Sequence, residues 1–261
     1  MKTAEEVDIL HVYLDRGAKL NAMDRAAWEG LATAIGTADA NPLIRSLVIH
    51  GDPRAFCAGN DINAMVEAQA KGDDLQYFLR GMLPTFEMMA RSRVPIISVV
   101  EGIAFGGGLE ILCFSDLVIA TQNASFALPE TRIGVWATIY LAACSTASNR
   151  RTGAKLALTG QPITAAESLR LGISTHLCQE EDLDTVLKDV LDGIRATKPE
   201  ATARTKAWLN RDLISTGLPR CHEALTELCH KTLTQPEYHN AVTAYFAASR
   251  LRSTTAKEAS A

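Results

Sequence analysis

Two glutamates stand where a fold alone would not want them. Glu110 interrupts the apolar run Leu109, Ile111, Leu112, Cys113, Phe114, directly behind Gly106-Gly107-Gly108. Glu130 follows Pro129, twenty positions on, in Phe126-Ala127-Leu128-Pro129-Glu130. A buried, unpaired carboxylate costs several kcal/mol, so each acid should be paired, protonated or functional. A run of glycines beside one of them lets main-chain N–H groups approach a ligand closely. Two acids with exposed backbone donors fit proton transfer next to a polarised carbonyl.

Three segments carry this chemistry, and each has a plainer reading. Ala55-Phe56-Cys57-Ala58-Gly59-Asn60-Asp61-Ile62 joins a buried strand to a helix start through small residues, and such a turn can present bare N–H groups to an oxygen. It also reads as a simple turn with Asp61 at the helix N-terminus. Glu101 to Glu110 is glycine-rich but is not a phosphate loop, since no Gly-Lys-Ser/Thr follows. It fails GxGxxG as well, because Ile111 occupies the last glycine position. Close helix–strand packing is the alternative use of its glycines. Ser125 to Trp136 carries Glu130, which on its own could be a surface loop acid.

The elements around these segments alternate. Val7–Leu14 and Leu43–His50 read as strands, Met23–Thr37 as a helix, and Ile62–Ala70 as a helix. Leu75–Ala90 reads as helical despite Pro84, a residue that can kink a helix. Val94–Val100 is a β-branched strand, Gly106–Phe114 a helix entered through glycines, and Asp116–Thr121 a strand. This alternation predicts an α/β architecture with mostly parallel connections. From about residue 136 helices dominate: Trp136–Ser148, Thr164–Leu171, Asp182–Ala196, Ala201–Ile214 and Cys221 onward, with Ile173–Cys178 as the last strand. The small, polar tail Ser253–Ala261 is expected to fray.

Composition narrows the class. In 261 residues, 47% are hydrophobic and 21% charged, the balance of an ordinary soluble enzyme. A net charge of −4 without a basic block argues against nucleic acid or an anionic membrane surface as partner. No apolar stretch is long enough to span a bilayer. Six scattered cysteines without CxxC spacing read as reduced core thiols. Together with an N-terminus lacking targeting features, they point to a cytoplasmic protein. No histidine pattern suggests a metal: His222-Glu223 lacks the second histidine of HExxH. Trp28, Trp136 and Trp208 read as packing anchors.

Taken together, the three segments resemble the enoyl-CoA hydratase/isomerase (crotonase) superfamily over most of the chain. Lys19-Leu20-Asn21-Ala22 is similar to its N-terminal signature, Phe56 to Ile62 to its first oxyanion segment, and Gly102 to Glu110 with Asp116 and Ala120 to its second. Phe126 to Glu130 resembles the segment of the second acid, at the family's separation from the first. Leu158-Thr159-Gly160, Ala165-Ala166-Glu167 and Leu171-Gly172 resemble its downstream hallmark.

The resemblance implies an α/β crotonase spiral of ββα units over residues 1–197, and a C-terminal helical oligomerisation region over 198–261. It implies an acyl-CoA thioester as partner, with no metal and no cofactor beyond the coenzyme A carried by the substrate. The thioester oxygen would accept the N–H groups of Asn60 and Gly107, while Glu110 and Glu130 would act as acid and base. Lys19, Leu20, Ala22, Ala58, Asp61 and Ile62 fall where the family contacts CoA, although Lys19 could equally be a solvated surface lysine. Both acids are kept, which favours syn addition of water to a trans-2-enoyl-CoA. A Δ3,Δ2-enoyl-CoA isomerase using mainly Glu130, and a non-catalytic acyl-CoA-binding relative, are the alternatives. A homotrimer or dimer of trimers is implied too. One stretch departs from the family: Gly134-Val135-Trp136-Ala137-Thr138-Ile139-Tyr140 stands where many hydratases carry Pro-Gly-x-Gly-Gly. Its bulky residues would reshape the acyl pocket.

Overall fold

Each pass of the chain lays one strand in a large sheet and the next in a small one. The computed structural model describes residues 1–144 and 149–244. Its larger sheet contains β1 (Lys2–Glu6), β2 (Ile9–Tyr13), β3 (Ser46–His50), β5 (Ile96–Val100), β7 (Leu117–Thr121) and β10 (His176–Cys178), in that order. The smaller contains β4 (Ala55–Cys57), β6 (Ile103–Phe105), β8 (Ser125–Ala127) and β9 (Ile163–Thr164). The consecutive pairs β3–β4, β5–β6 and β7–β8 stack in the same order in both sheets, with parallel pairing. That repetition is the ββα spiral the resemblance implied.

Apart from the exposed edge strand β1, the strands of the large sheet are mainly apolar because both faces are covered. One face carries the main core with the helix Arg25–Ala40, whose Trp28, Leu31 and Ile35 are buried. On the other, Ile9, Val48, Ile97, Val99 and Ile119 meet Leu191 of the helix Leu183–Arg195. The C-terminal helices join the main core through Leu218, Cys221, Leu225 and Leu228. Helix Pro199–Leu209 is pinned by buried Lys206, which pairs with Asp116 at 2.7 Å and donates to the Val94 carbonyl at 2.9 Å.

Several boundaries differ from the sequence reading. β2 starts at Ile9 because Val7, at φ 53°, and Asp8 form the turn of a hairpin with β1. Residues 74–91 form one helical passage, with a wide i→i+5 turn over Phe78–Met82 just ahead of Pro84. That turn removes the need for a proline N–H in the ladder. The helix expected from Trp136 begins instead at Thr138, and residues 145–148 of that expectation, like the tail from Ser253, lie outside the described residues. The helix expected over Ala201–Ile214 runs Pro199–Leu209 and is followed by another wide turn, Leu213–Gly217. None of the six cysteines is in a disulfide. Among the described residues no helix is long and apolar enough to cross a membrane.

Candidate active site

Three adjoining parallel strands deliver the three segments. β4, β6 and β8 run parallel, with one register shift between Ala55 and Cys57, so the chain leaving each one emerges on the same side, at the carboxyl ends of the strands. Open α/β sheets bind ligands at that edge. Asn60 follows β4, Gly107 and Glu110 follow β6, and Glu130 follows β8. The twenty-residue spacing of the two acids is thus one turn of the spiral. The Gly106 N–H donates to Ala127 O at 2.9 Å and ties the second segment to the third.

Two glycines are dictated by space. A β-carbon on Gly108 would lie 2.2 Å from the Cys57 carbonyl oxygen, so only glycine lets the helix Gly107–Cys113 start against β4. Gly106 has φ 53°, and a β-carbon there would sit 3.0 Å from Glu130 Oε1. Both steric demands come from the close approach of backbone to functional groups.

The main-chain donors follow from local pairing. Met23 bridges this turn through Met23 N–H to Gly59 O and Asp61 N–H to Met23 O, both 2.8 Å. In such a parallel bridge the N–H of the intervening Asn60 points away from Met23. It lies beside Gly107: Asn60 N is 3.5 Å from where a Gly107 β-carbon would stand. Gly107 opens its helix, so its N–H has no carbonyl four residues back to meet. Two donors without helical or strand partners thus lie side by side.

The two carboxyls differ in surroundings. Glu110 is 3% exposed, and its Oε1 accepts the N–H groups of Ile139 and Tyr140, each at 3.1 Å. These are first-turn amides of the helical segment after Thr138, otherwise orphaned at a helix start. Burial raises the Glu110 pKa, and the two amides partly offset it by favouring the anion. Glu130 has a buried Oε2 with no hydrogen-bond partner among the described residues. Burial raises its pKa, and the nearby Glu110 charge raises it further.

A cavity of about 410 Å³ contains all four groups: Asn60, Gly107, Glu110 and Glu130 line it. Leu20, Ala58 and Ile62 line it too, and Met65, Phe78, Met82, Trp136 and Leu228 give it an apolar wall. The segment that departs from the family, through Val135, Trp136, Ala137 and Thr138, forms part of this wall. Lys19, Ala22 and Asp61 are not among the lining residues. Asp61 is buried and accepts from Lys19 Nζ at 2.8 Å and Arg16 at 3.0 Å, while also capping the next helix through the Asn63 N–H at 3.1 Å. Burial would raise the Asp61 pKa, but Lys19 and Arg16 hold it below the ordinary range. The Ala22 carbonyl accepts from the Arg16 guanidinium.

Sequence reasoning missed two residues that shape this region. Arg16 organises the Asp61 cluster, pairing also with Asp24 at 2.8 Å. Trp28, read as a packing anchor, also donates its indole N–H to Asn60 Oδ1 at 2.9 Å. A tryptophan inside an amphipathic pattern gives no sign of where its N–H will point.

Fold and cavity together bring Asn60, Gly107, Glu110 and Glu130 to one place. The enoyl-CoA hydratase/isomerase family model matches residues 9–257. A probable enoyl-CoA hydratase of Mycobacterium leprae is 31% identical over 207 residues, covering 78% of this chain and 79% of the relative. A carnitinyl-CoA dehydratase of Proteus mirabilis is 30% identical over 202 residues, covering 76% and 75%. Among solved structures, an enoyl-CoA hydratase/isomerase from Mycobacterium paratuberculosis superposes with a TM-score of 0.81 at 26% identity, over 93% of this chain and 96% of that one. The enoyl-CoA hydratase from Bacillus halodurans shares the fold, with a TM-score of 0.80 at 22% identity over 93% and 98%. The chain belongs to the enoyl-CoA hydratase/isomerase family.

Proposed function

We propose that the protein adds water across the 2,3 double bond of a trans-2-enoyl-CoA thioester. The observation that carries this reading is the pair of buried carboxylates with unequal partners on one cavity wall, next to two free main-chain donors. The thioester oxygen takes the N–H groups of Asn60 and Gly107, which bind it more strongly as enolate charge develops.

The unequal surroundings assign the two roles. Glu110 accepts two amide hydrogen bonds that favour its anion, so it is the base, acting on water through the oxygen those amides leave free. Glu130 has no such pair of amides, only a bond from its own backbone N–H, and it feels the Glu110 charge, so it holds the proton. Water oxygen bonds to the β-carbon, its proton passes to Glu110, and Glu130 gives its proton to the α-carbon. The two acids exchange protonation states and reset through solvent. No cofactor enters beyond the coenzyme A of the substrate. A homotrimer or dimer of trimers belongs to the same reading, with exposed Trp208 and Leu209 available for subunit packing.

A second reading has one observation in its favour. Because Glu110 Oε1 is held by two amides while Glu130 has a free buried oxygen, Glu130 alone could shuttle a proton and isomerise a 3-enoyl-CoA. Assaying crotonyl-CoA hydration and 3-enoyl-CoA isomerisation side by side, with wild type and Glu110→Gln, separates them. Hydration lost in Glu110→Gln supports the two-acid reading. Isomerisation without hydration, unaffected by that substitution, overturns it.

A further inference from the structure

The Asn60 side chain is placed by a constraint that admits one orientation. Trp28, fully buried, meets it with an indole N–H at 2.9 Å. An indole nitrogen can only donate, so the amide atom facing it must be the oxygen. The carboxamide nitrogen is therefore turned the other way, to the side of Met82 and Gly107. Asn60 Nδ2 lies 3.5 Å from the Met82 sulfur, and 3.5 Å from where a Gly107 β-carbon would stand. A thioether is a weak acceptor, and the second hydrogen of Nδ2 has no acceptor among the described residues. Asn60 and Met82 line the same cavity, together with the apolar Met65 and Phe78.

Asn60 is partly exposed, so water can meet this donor, and a ligand that fills the cavity must offer an acceptor in its place or leave the donor unpaired at a cost. An apolar side chain at this position would fill the same wall without that penalty. We infer that the Asn60 carboxamide, held by Trp28, is a specificity-determining group that selects enoyl-CoA substrates bearing an oxygen acceptor on the acyl chain close to the double bond. The inference rests on the enoyl-CoA reading of the site. Nδ2 belongs to the same residue as one of the carbonyl-binding amides, so it reaches only the first carbons beyond the reacting pair. Being a donor, it donates to a hydroxyl, ether or carbonyl oxygen alike. It gives nothing to a methyl group of similar bulk. Trp28 is a positioning residue in this arrangement, acting on substrate only through Asn60.

The test compares trans-2-enoyl-CoA thioesters matched in size, with hydroxyl, methoxy or methyl on the carbon next to the double bond. Wild type should favour the hydroxyl and methoxy substrates over the methyl one by roughly tenfold in kcat/KM, the worth of one well-placed hydrogen bond. Asn60→Ala, which keeps its backbone N–H, should bring that ratio to about one. Trp28→Phe should lower it part of the way, yet change nothing further in the Asn60→Ala background, since the two act as a unit. Equal ratios in wild type and Asn60→Ala overturn the inference, as does additive behaviour of the two substitutions. Binding of the corresponding saturated acyl-CoAs, measured by calorimetry, reads the same preference without turnover. Preference in binding with no hydration of any substrate would remove the hydratase reading and leave the role of Asn60 standing. Hydration without preference would do the reverse.

Discussion

Glu110 and Glu130 share one cavity but not one environment: an oxygen of the first accepts the Ile139 and Tyr140 amides, and the second keeps a buried oxygen without a partner among the described residues. Two like acids so placed titrate as a pair whose members favour opposite protonation states. The assignment of base and acid follows from that asymmetry rather than from residue type.

Glu110→Gln and Glu130→Gln should each fold normally and lose about 10²–10⁴ in kcat, the usual contribution of a positioned acid or base. Glutamine at 110 still offers an acceptor to the Ile139 and Tyr140 amides, so circular dichroism and thermal unfolding should report an intact fold. Activity within a factor of two of wild type in either variant contradicts the roles given to them.

The same substitutions should stabilise the protein at alkaline pH. Both folded-state pKa values are raised by burial, so between the unfolded carboxylate value, about 4.3, and the raised values the folded state binds more protons than the unfolded state. Stability is therefore lost as pH rises through that window, and the loss is complete above the raised values. Relative to wild type, each glutamine variant should gain on the order of 1–3 kcal/mol between pH 5 and pH 8.5, seen as a Tm higher by a few degrees. The comparison cancels the contact pair His11–His50. Burial lowers both of those pKa values, so their effect has the opposite sign and is a loss of stability on acidification. No difference between variant and wild type across this range would mean that the carboxyls are not desolvated.

Neighbouring glycines should fail in different ways. At Gly107 a β-carbon meets nothing closer than 3.5 Å, so Gly107→Ala should fold, and its effect should appear in kcat through crowding of the carbonyl-binding amides. At Gly108 the β-carbon would lie 2.2 Å from Cys57 O, so Gly108→Ala should cost several kcal/mol or prevent folding. Chemical denaturation distinguishes them. Equal stabilities would contradict the packing of this helix on β4.

Lys206 should be indispensable to docking of its helix. It is buried against Asp116 and the Val94 carbonyl, and Lys206→Ala leaves the acid without its cation. Removing one partner of a buried pair typically costs about 3–5 kcal/mol. Asp116 keeps partial exposure and its bond from the Ile96 N–H, so the lower end of that range is expected in urea unfolding.

Much of this was legible before the structure, for identifiable reasons. Glu110 announced itself because a charge inside an apolar helix is improbable without function, and the long β-branched strands of the large sheet announced themselves by pattern. β4, β6 and β8 did not: three residues are too few to display alternation, and their existence depends on pairing with segments tens of residues away. β1 is exposed along its whole length and carries no apolar signal at all. The start of the helix at Thr138 rather than Trp136 was equally hidden, since it is set by amides reaching back to Glu110. The pairing of Lys19 with Asp61 was hidden as well, since 42 positions separate the two residues and neither segment signals the other.

The most direct test of the central claim is to incubate crotonyl-CoA with the protein in heavy-oxygen water and analyse the thioester by mass spectrometry. The account expects one labelled oxygen in the product with wild type, and loss of that incorporation with Glu110→Gln. Turnover of a 3-enoyl-CoA without any incorporation of labelled oxygen from either substrate, or undiminished incorporation by the Glu110→Gln variant, would contradict it.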